Sequence, residues 1–136
     1  MLWQRKERRV LEYASPAFFC RLTQDQCKQI ENCQIKAFSI ILQDQFKNYE
    51  NALTVLDQEK LSERRLSAAL NFGEKSANNP RHSDMFPRNE GTKETSRNWR
   101  PFKEYFCKTE RYYKSSLPTI ARMMNEKYLL EHERKE

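Results

Sequence analysis

Glycine stands at only two of the 136 positions, Gly73 and Gly91. Folds built from strands and tight turns spend glycine at those turns, so its scarcity argues against them. It also removes every glycine-rich phosphate cradle, because neither a P-loop nor a dinucleotide fingerprint can be written with two glycines. Apolar residues are short as well, at 38% of the chain against 32% charged. An ordinary domain is about 45–50% apolar with glycine counted. A chain this polar has little to bury, and burial is what offsets the entropy of ordering a backbone. Cysteine lacks any pattern. Cys20, Cys27, Cys33 and Cys107 form no C-x-x-C and match no zinc spacing, and His82 and His132 are isolated. No metal and no cofactor is therefore expected. Four thiols without a secretory signal fit a reducing compartment. No apolar run is long enough to cross a bilayer, so no membrane span is expected.

Aromatic residues are plentiful by contrast. Eight Phe, six Tyr and two Trp exceed what disordered chains carry. A polar but aromatic-rich chain fits long helices and extended arms whose large side chains bury against something else. The formal net charge is +6 and the pI about 9.2. Its placement is uneven. Arg5, Lys6, Arg8 and Arg9 outweigh Glu7 at the start, residues 10–72 are near balance, and residues 73–136 hold the remaining excess. The plain interpretation is a solvated surface. The functional one is docking on an acidic polymer, which covers nucleic acid, an anionic membrane surface and the acidic surface of a filament. In the N-terminal arm, Glu7 and Glu12 dilute the amphipathic, acid-poor pattern of a mitochondrial presequence.

Catalytic patterns do not emerge. The carboxylates sit among Lys and Arg on polar helical faces, and no spacing singles out an acid–base pair. Cys107 with His132 is a dyad on paper only, without an oxyanion donor or an orienting group. The expectation is a protein that is not an enzyme and has no small-molecule substrate.

The pattern predicts a mostly α fold in four parts: a basic aromatic arm (1–19), a helical segment (20–72), a linker (73–98) and a C-terminal helical segment (99–136). The strongest signal is a seam. Ile35, Phe38, Leu42, Phe46, Tyr49, Leu53 and Leu56 recur at steps of three and four, a heptad-like spacing. Neither Pro nor Gly falls between Ala17 and Phe72, so about 22–72 reads as one long helix or two consecutive ones. Thr23 or Asp25 caps the start, and Asp57 or Ser62 starts the second if there are two. Gly73 is placed to end the run as a left-handed cap. Pro101 suits the first turn of a helix, which would put Phe102, Tyr105, Phe106 and Tyr113 on one face. Ser116 is a cap candidate for a last helix over 117–135. Little independent core is expected.

Candidate contact residues follow from these patterns. Leu42, Phe46, Tyr49 and Leu53 line the seam, and Trp3 anchors the arm. Trp99, Arg100, Phe102 and Tyr105 belong to a run in which bases and aromatics interleave. Phe46 and Tyr49 are bulky for a self-pairing coiled coil and fit pockets on a different protein better. Arginine and aromatics together are what protein–protein anchors use, and they also hold single-stranded nucleic acid. Glu104 and Glu110 interrupt the latter pattern, and no known nucleic-acid fold is written here.

The segment from Leu42 to Leu53, Leu-Gln-Asp-Gln-Phe-Lys-Asn-Tyr-Glu-Asn-Ala-Leu, resembles a helix that recurs in small cilia- and flagella-associated proteins lining the inside of axonemal doublet microtubules. Leu42, Tyr49 and Leu53 match its apolar, Tyr and Leu positions, and Phe46 occupies a commonly bulky one. Leu2-Trp3-Gln4 followed by arginines is similar to N-terminal stretches of the same group. The family helix often runs into a glycine-containing turn soon after that Leu, whereas Thr54, Val55 and Leu56 carry the helix on. The resemblance implies a structural, cytoskeletal protein of the cytoplasm, located in the cilium or flagellum axoneme and lying along tubulin. The alternative is a basic helical subunit associated with RNA or ribonucleoprotein, with the mitochondrion as one location open to it; a self-associating coiled-coil adaptor is the third.

Overall fold

The computed structural model describes residues 12–90 and 99–133. Trp3 and most of the arm it anchors lie outside them. Six α-helices occur among the described residues: α1 (Ser15–Phe18), α2 (Gln24–Leu42), α3 (Tyr49–Val55), α4 (Leu61–Asn78), α5 (Glu110–Tyr113) and α6 (Ser116–Glu133). Short 3-10 turns occupy Phe19–Arg21, Gln43–Gln45 and Ser83–Met85. The fold is mostly α, with one isolated antiparallel bridge, Arg88 to Phe102, among the described residues.

Capping chemistry sets the start of α2. The Thr23 hydroxyl accepts from the Gln26 amide at 3.2 Å, and the Gln26 side chain accepts from the Thr23 amide at 3.0 Å. This capping box satisfies two N–H groups that the first helical turn leaves without partners. At the other end, the stretch left open as one helix or two is divided into three. Gln43 enters positive φ at 46°, and Asp57 does so at 51°. Between them Asn48 caps α3, its side chain accepting from the Asn51 amide at 2.7 Å. Two polar residues thus make the turns for which no glycine is present, Asp being one of the types that tolerate a left-handed conformation. The helix continues through Thr54 and Val55 as expected and ends there, with Leu56 as its C-cap.

Apolar contact rewards these breaks. Phe38, Leu42, Ala52 and Leu53 are buried together, with Phe46, Tyr49 and Leu56 packed on them. The seam folds back on itself instead of running on for another partner. A second cluster joins α4 to α6 through Ala69, Ala77, Phe86, Ile120, Ala121 and Met124. Gly73 lies inside α4, not at its end. A Cβ there would meet Ile120 Cγ2 at 2.6 Å and Met124 Sδ at 2.7 Å, so the glycine serves close helix approach, not a left-handed cap.

The segment read as a linker is partly core. Its first residues extend α4 to Asn78, and Phe86 is 1% exposed. Asn89 donates to the Pro101 carbonyl and Lys103 to the Pro87 carbonyl, both at 2.9 Å. That pairing holds residues 99–109 as a strap without helix across α6. The helix expected from Pro101 onward is reduced to the single turn α5, which Thr109 caps by accepting from the Tyr112 amide at 3.2 Å. Ser116 is the first residue of α6, and its hydroxyl donates to the Ala17 carbonyl at 2.6 Å instead of capping. Ser15 is helical with Pro16 in the first turn, and the bend sits at Ala14, with φ 51°.

Candidate docking surface

The seam residues are built into the interior. Leu42 and Leu53 are buried, and Phe46 and Tyr49 pack on the same cluster. The Tyr49 hydroxyl donates to Glu31 and accepts from Gln34 Nε2 at 3.3 Å. The same Glu31 carboxylate accepts from the Leu61 amide at 3.1 Å. It therefore supplies the side-chain acceptor that Lys60 does not provide at the start of α4, where negative charge also meets the favourable end of the helix dipole. Burial, reinforced by the hydrogen bond and charge of Glu31, pushes the Tyr49 phenol well above its ordinary range.

The strap residues are held differently. The Phe102 amide donates to Asn125 Oδ1 and the Phe102 carbonyl accepts from Asn125 Nδ2, each at 3.0 Å. Asn125 is 1% exposed, so a buried amide side chain completes the backbone pairing of one strap residue. The Arg88 guanidinium lies over the Phe102 ring at 5.7 Å. Trp99 meets Tyr128 edge-on with ring centroids 5.4 Å apart. Arg88, Trp99, Phe102 and Tyr128, with Glu74, Lys127 and Glu131, line an open groove of about 390 Å³. The Tyr105 hydroxyl donates to the Met85 carbonyl, and burial, with a smaller effect of Tyr112, raises its pKa. Arg100 pairs with Glu104.

Trp99, Arg100, Phe102 and Tyr105 are thus brought together on one strap, whereas Leu42, Phe46, Tyr49 and Leu53 form a separate interior cluster. Sequence reasoning missed Asn125, Arg88 and Tyr128. Asn125 alone carried a signal, as a lone polar residue on the apolar face of Ile120, Met124 and Tyr128.

Beyond Phe102, as far as Lys114, the chain faces water except at Tyr105 and Cys107, which are partly covered. Phe106 is 83% exposed, and Tyr112 and Tyr113 are also exposed. Both acids of this stretch are taken by its own cations: Glu104 by Arg100, and Glu110 by Lys114 at 2.5 Å. The hydrogen bond and charge of Lys114 hold the Glu110 carboxyl below its ordinary range. Lys103, Lys108 and Arg111 form no ion pair among the described residues. The result is a solvent-facing strip of aromatic rings whose positive charge is unpaired among the described residues. Such a strip can hold an acidic polymer by charge and ring contact.

Among the described residues no group of three or more His, Cys, Asp or Glu is placed to hold a metal ion. No helix among them is long and apolar enough to cross a membrane. No protein-family model, no curated protein and no solved structure matches the chain.

Proposed function

We propose that the chain is a non-enzymatic structural protein that docks on tubulin in the microtubule of cilia or flagella, a cytoskeletal role in the axoneme. The observation that carries the docking part is the strap and the α5 turn that follows it, where Phe106, Tyr112 and Tyr113 stand exposed beside Lys103, Lys108 and Arg111. An acidic filament surface complements that charge, and exposed rings supply the apolar anchors that interfaces concentrate. The choice of filament rests on the resemblance over Leu42 to Leu53, a segment that here is not one helix but the end of α2, a turn over 43–48 and the start of α3. The turn after Val55, with Asp57 at positive φ, is in keeping with the family helix entering a turn at that place. Because Leu42, Phe46, Tyr49 and Leu53 are interior, their role in this reading is to build the helical unit, and the strap makes the contact.

Association with RNA or ribonucleoprotein is the second reading. It draws on the same exposed rings beside Lys108 and Arg111, since rings next to cations stack unpaired bases. Localisation separates the two. A tagged copy expressed in ciliated cells should remain along the axoneme after detergent and high-salt extraction. A diffuse, nuclear or mitochondrial signal would sink the ciliary assignment.

A further inference from the structure

Residues 103–107 run without helix, turn or bend. Exposure alternates along the strap: Glu104, Phe106 and Lys108 face solvent, while Tyr105 and Cys107 are partly covered. This two-residue period is that of a strand lying on a surface. The strand is already begun, because Pro87–Asn89 and Pro101–Lys103 pair antiparallel through two main-chain hydrogen bonds of 2.9 Å. Past Lys103 the pairing stops. The backbone amides of residues 104–108, and the carbonyls of Glu104, Phe106, Cys107 and Lys108, make no hydrogen bond among the described residues. Main-chain groups without partners along an extended segment are a template for another strand.

We propose that residues 103–108 are a docking edge that takes an extended acidic peptide segment of the partner as an added β-strand. The charge selects the occupant. Lys103 and Lys108 bracket the edge, Arg111 stands just beyond it, and the one acid within it, Glu104, is engaged by Arg100. A strand with carboxylates opposite Lys103 on one face and Lys108 on the other meets these cations near its two ends while its backbone pairs with the edge. Phe106 then covers an apolar side chain of the incoming segment. Main-chain pairing gives binding, and the alternating side chains give selectivity. The inference rests on the docking reading above and narrows it to one chemistry of contact.

The test uses the full chain and a fluorescein-labelled peptide with two glutamates on either side of a central pair of valines, about six residues long, the common strand length. Phe106 and Cys107 direct their amides toward opposite edges of the strand. In Phe106→Pro or Cys107→Pro, proline removes one donor and obstructs pairing, so one of the two should weaken binding by about tenfold or more. Phe106→Ala keeps the amide and should weaken it less. Exchange of the amides of residues 104–108 should slow when the peptide saturates the chain, a readout that does not depend on how the proline variants fold. Peptide binding that leaves all of these amides unprotected overturns the proposal. So does equal binding by both proline variants and the parent chain. Tighter binding of a single-stranded oligonucleotide, lost in Phe106→Ala but kept in both proline variants, also overturns it, because stacking and not strand pairing would then be at work. A chain that binds the peptide by its edge yet does not pellet with microtubules supports the strand pairing and removes the filament. A chain that pellets without peptide protection removes the strand pairing alone.

Discussion

The phenol of Tyr49 sits between Glu31 and Gln34, in contact with the Phe38 ring at a centroid distance of 6.1 Å. Tyr49→Phe removes the donor to Glu31 and should lower stability by about 1–2 kcal/mol, read as a shift of the thermal midpoint. The same residue makes stability sensitive to alkali. Its folded-state pKa is raised by burial and by Glu31, so the folded chain holds the phenolic proton more tightly than the unfolded chain does. The contribution is complete below the ordinary phenol value of about 10 and declines as pH rises above it. Thermal midpoints measured from pH 9 upward should therefore fall less steeply in Tyr49→Phe than in the parent. Some slope should persist, since Tyr105, Lys60 and Lys127 are shifted in the same direction. Gly73 gives the second test at this scale. Alanine is favoured over glycine in a helix by about 1 kcal/mol, yet a Cβ here meets Ile120 at 2.6 Å. Overpacking of that kind costs about 1–3 kcal/mol, so Gly73→Ala should melt below the parent, and a higher midpoint would contradict the close approach of α4 and α6.

At the scale of elements, seam and strap separate stability from contact. Leu53 is 7% exposed, and Leu53→Ala should cost about 2–4 kcal/mol as a cavity in the α2–α3 cluster. Phe106→Ala should change stability by no more than about 0.5 kcal/mol, as exposed positions do, while weakening attachment to the partner. Paired melting and binding measurements on the two variants check this division. The existence of α2 and α6 was legible from periodicity, and Thr23 was legible as a cap. The division of 22–72 was not. Periodicity marks which residues seek apolar company, but the same stripe serves a neighbouring chain or the next stretch of its own. Asn48, an acceptable cap three positions before Asn51, was the overlooked signal. The strap was misread because Pro101 suits a helix start and an extended segment equally. What decides is long-range, the Asn125 side chain and the Pro87 carbonyl, and local pattern contains neither.

For the whole molecule, polarity limits closure. The two apolar clusters draw on small residues, Ala52, Ala69, Ala77 and Ala121 among them, which bring backbones close but remove little apolar area from water. That is the structural counterpart of the low apolar content, and it fits a chain completed by a partner's surface. The scarcity of glycine was informative about fold class, and the charge excess is one ground for the proposed partner. Neither located the contact surface, because that required knowing which cations meet carboxylates of the same chain. Glu104 and Glu110, which dilute the basic run in sequence, are neutralised in place by Arg100 and Lys114, so Lys103, Lys108 and Arg111 remain for a partner. Co-pelleting of the purified chain with microtubules at physiological salt, compared with the variant Lys103→Glu, Lys108→Glu, Arg111→Glu, tests this most directly. The account predicts that the parent pellets and the folded triple variant stays in the supernatant; a triple variant that pellets equally, or a parent that does not pellet at all, would contradict it.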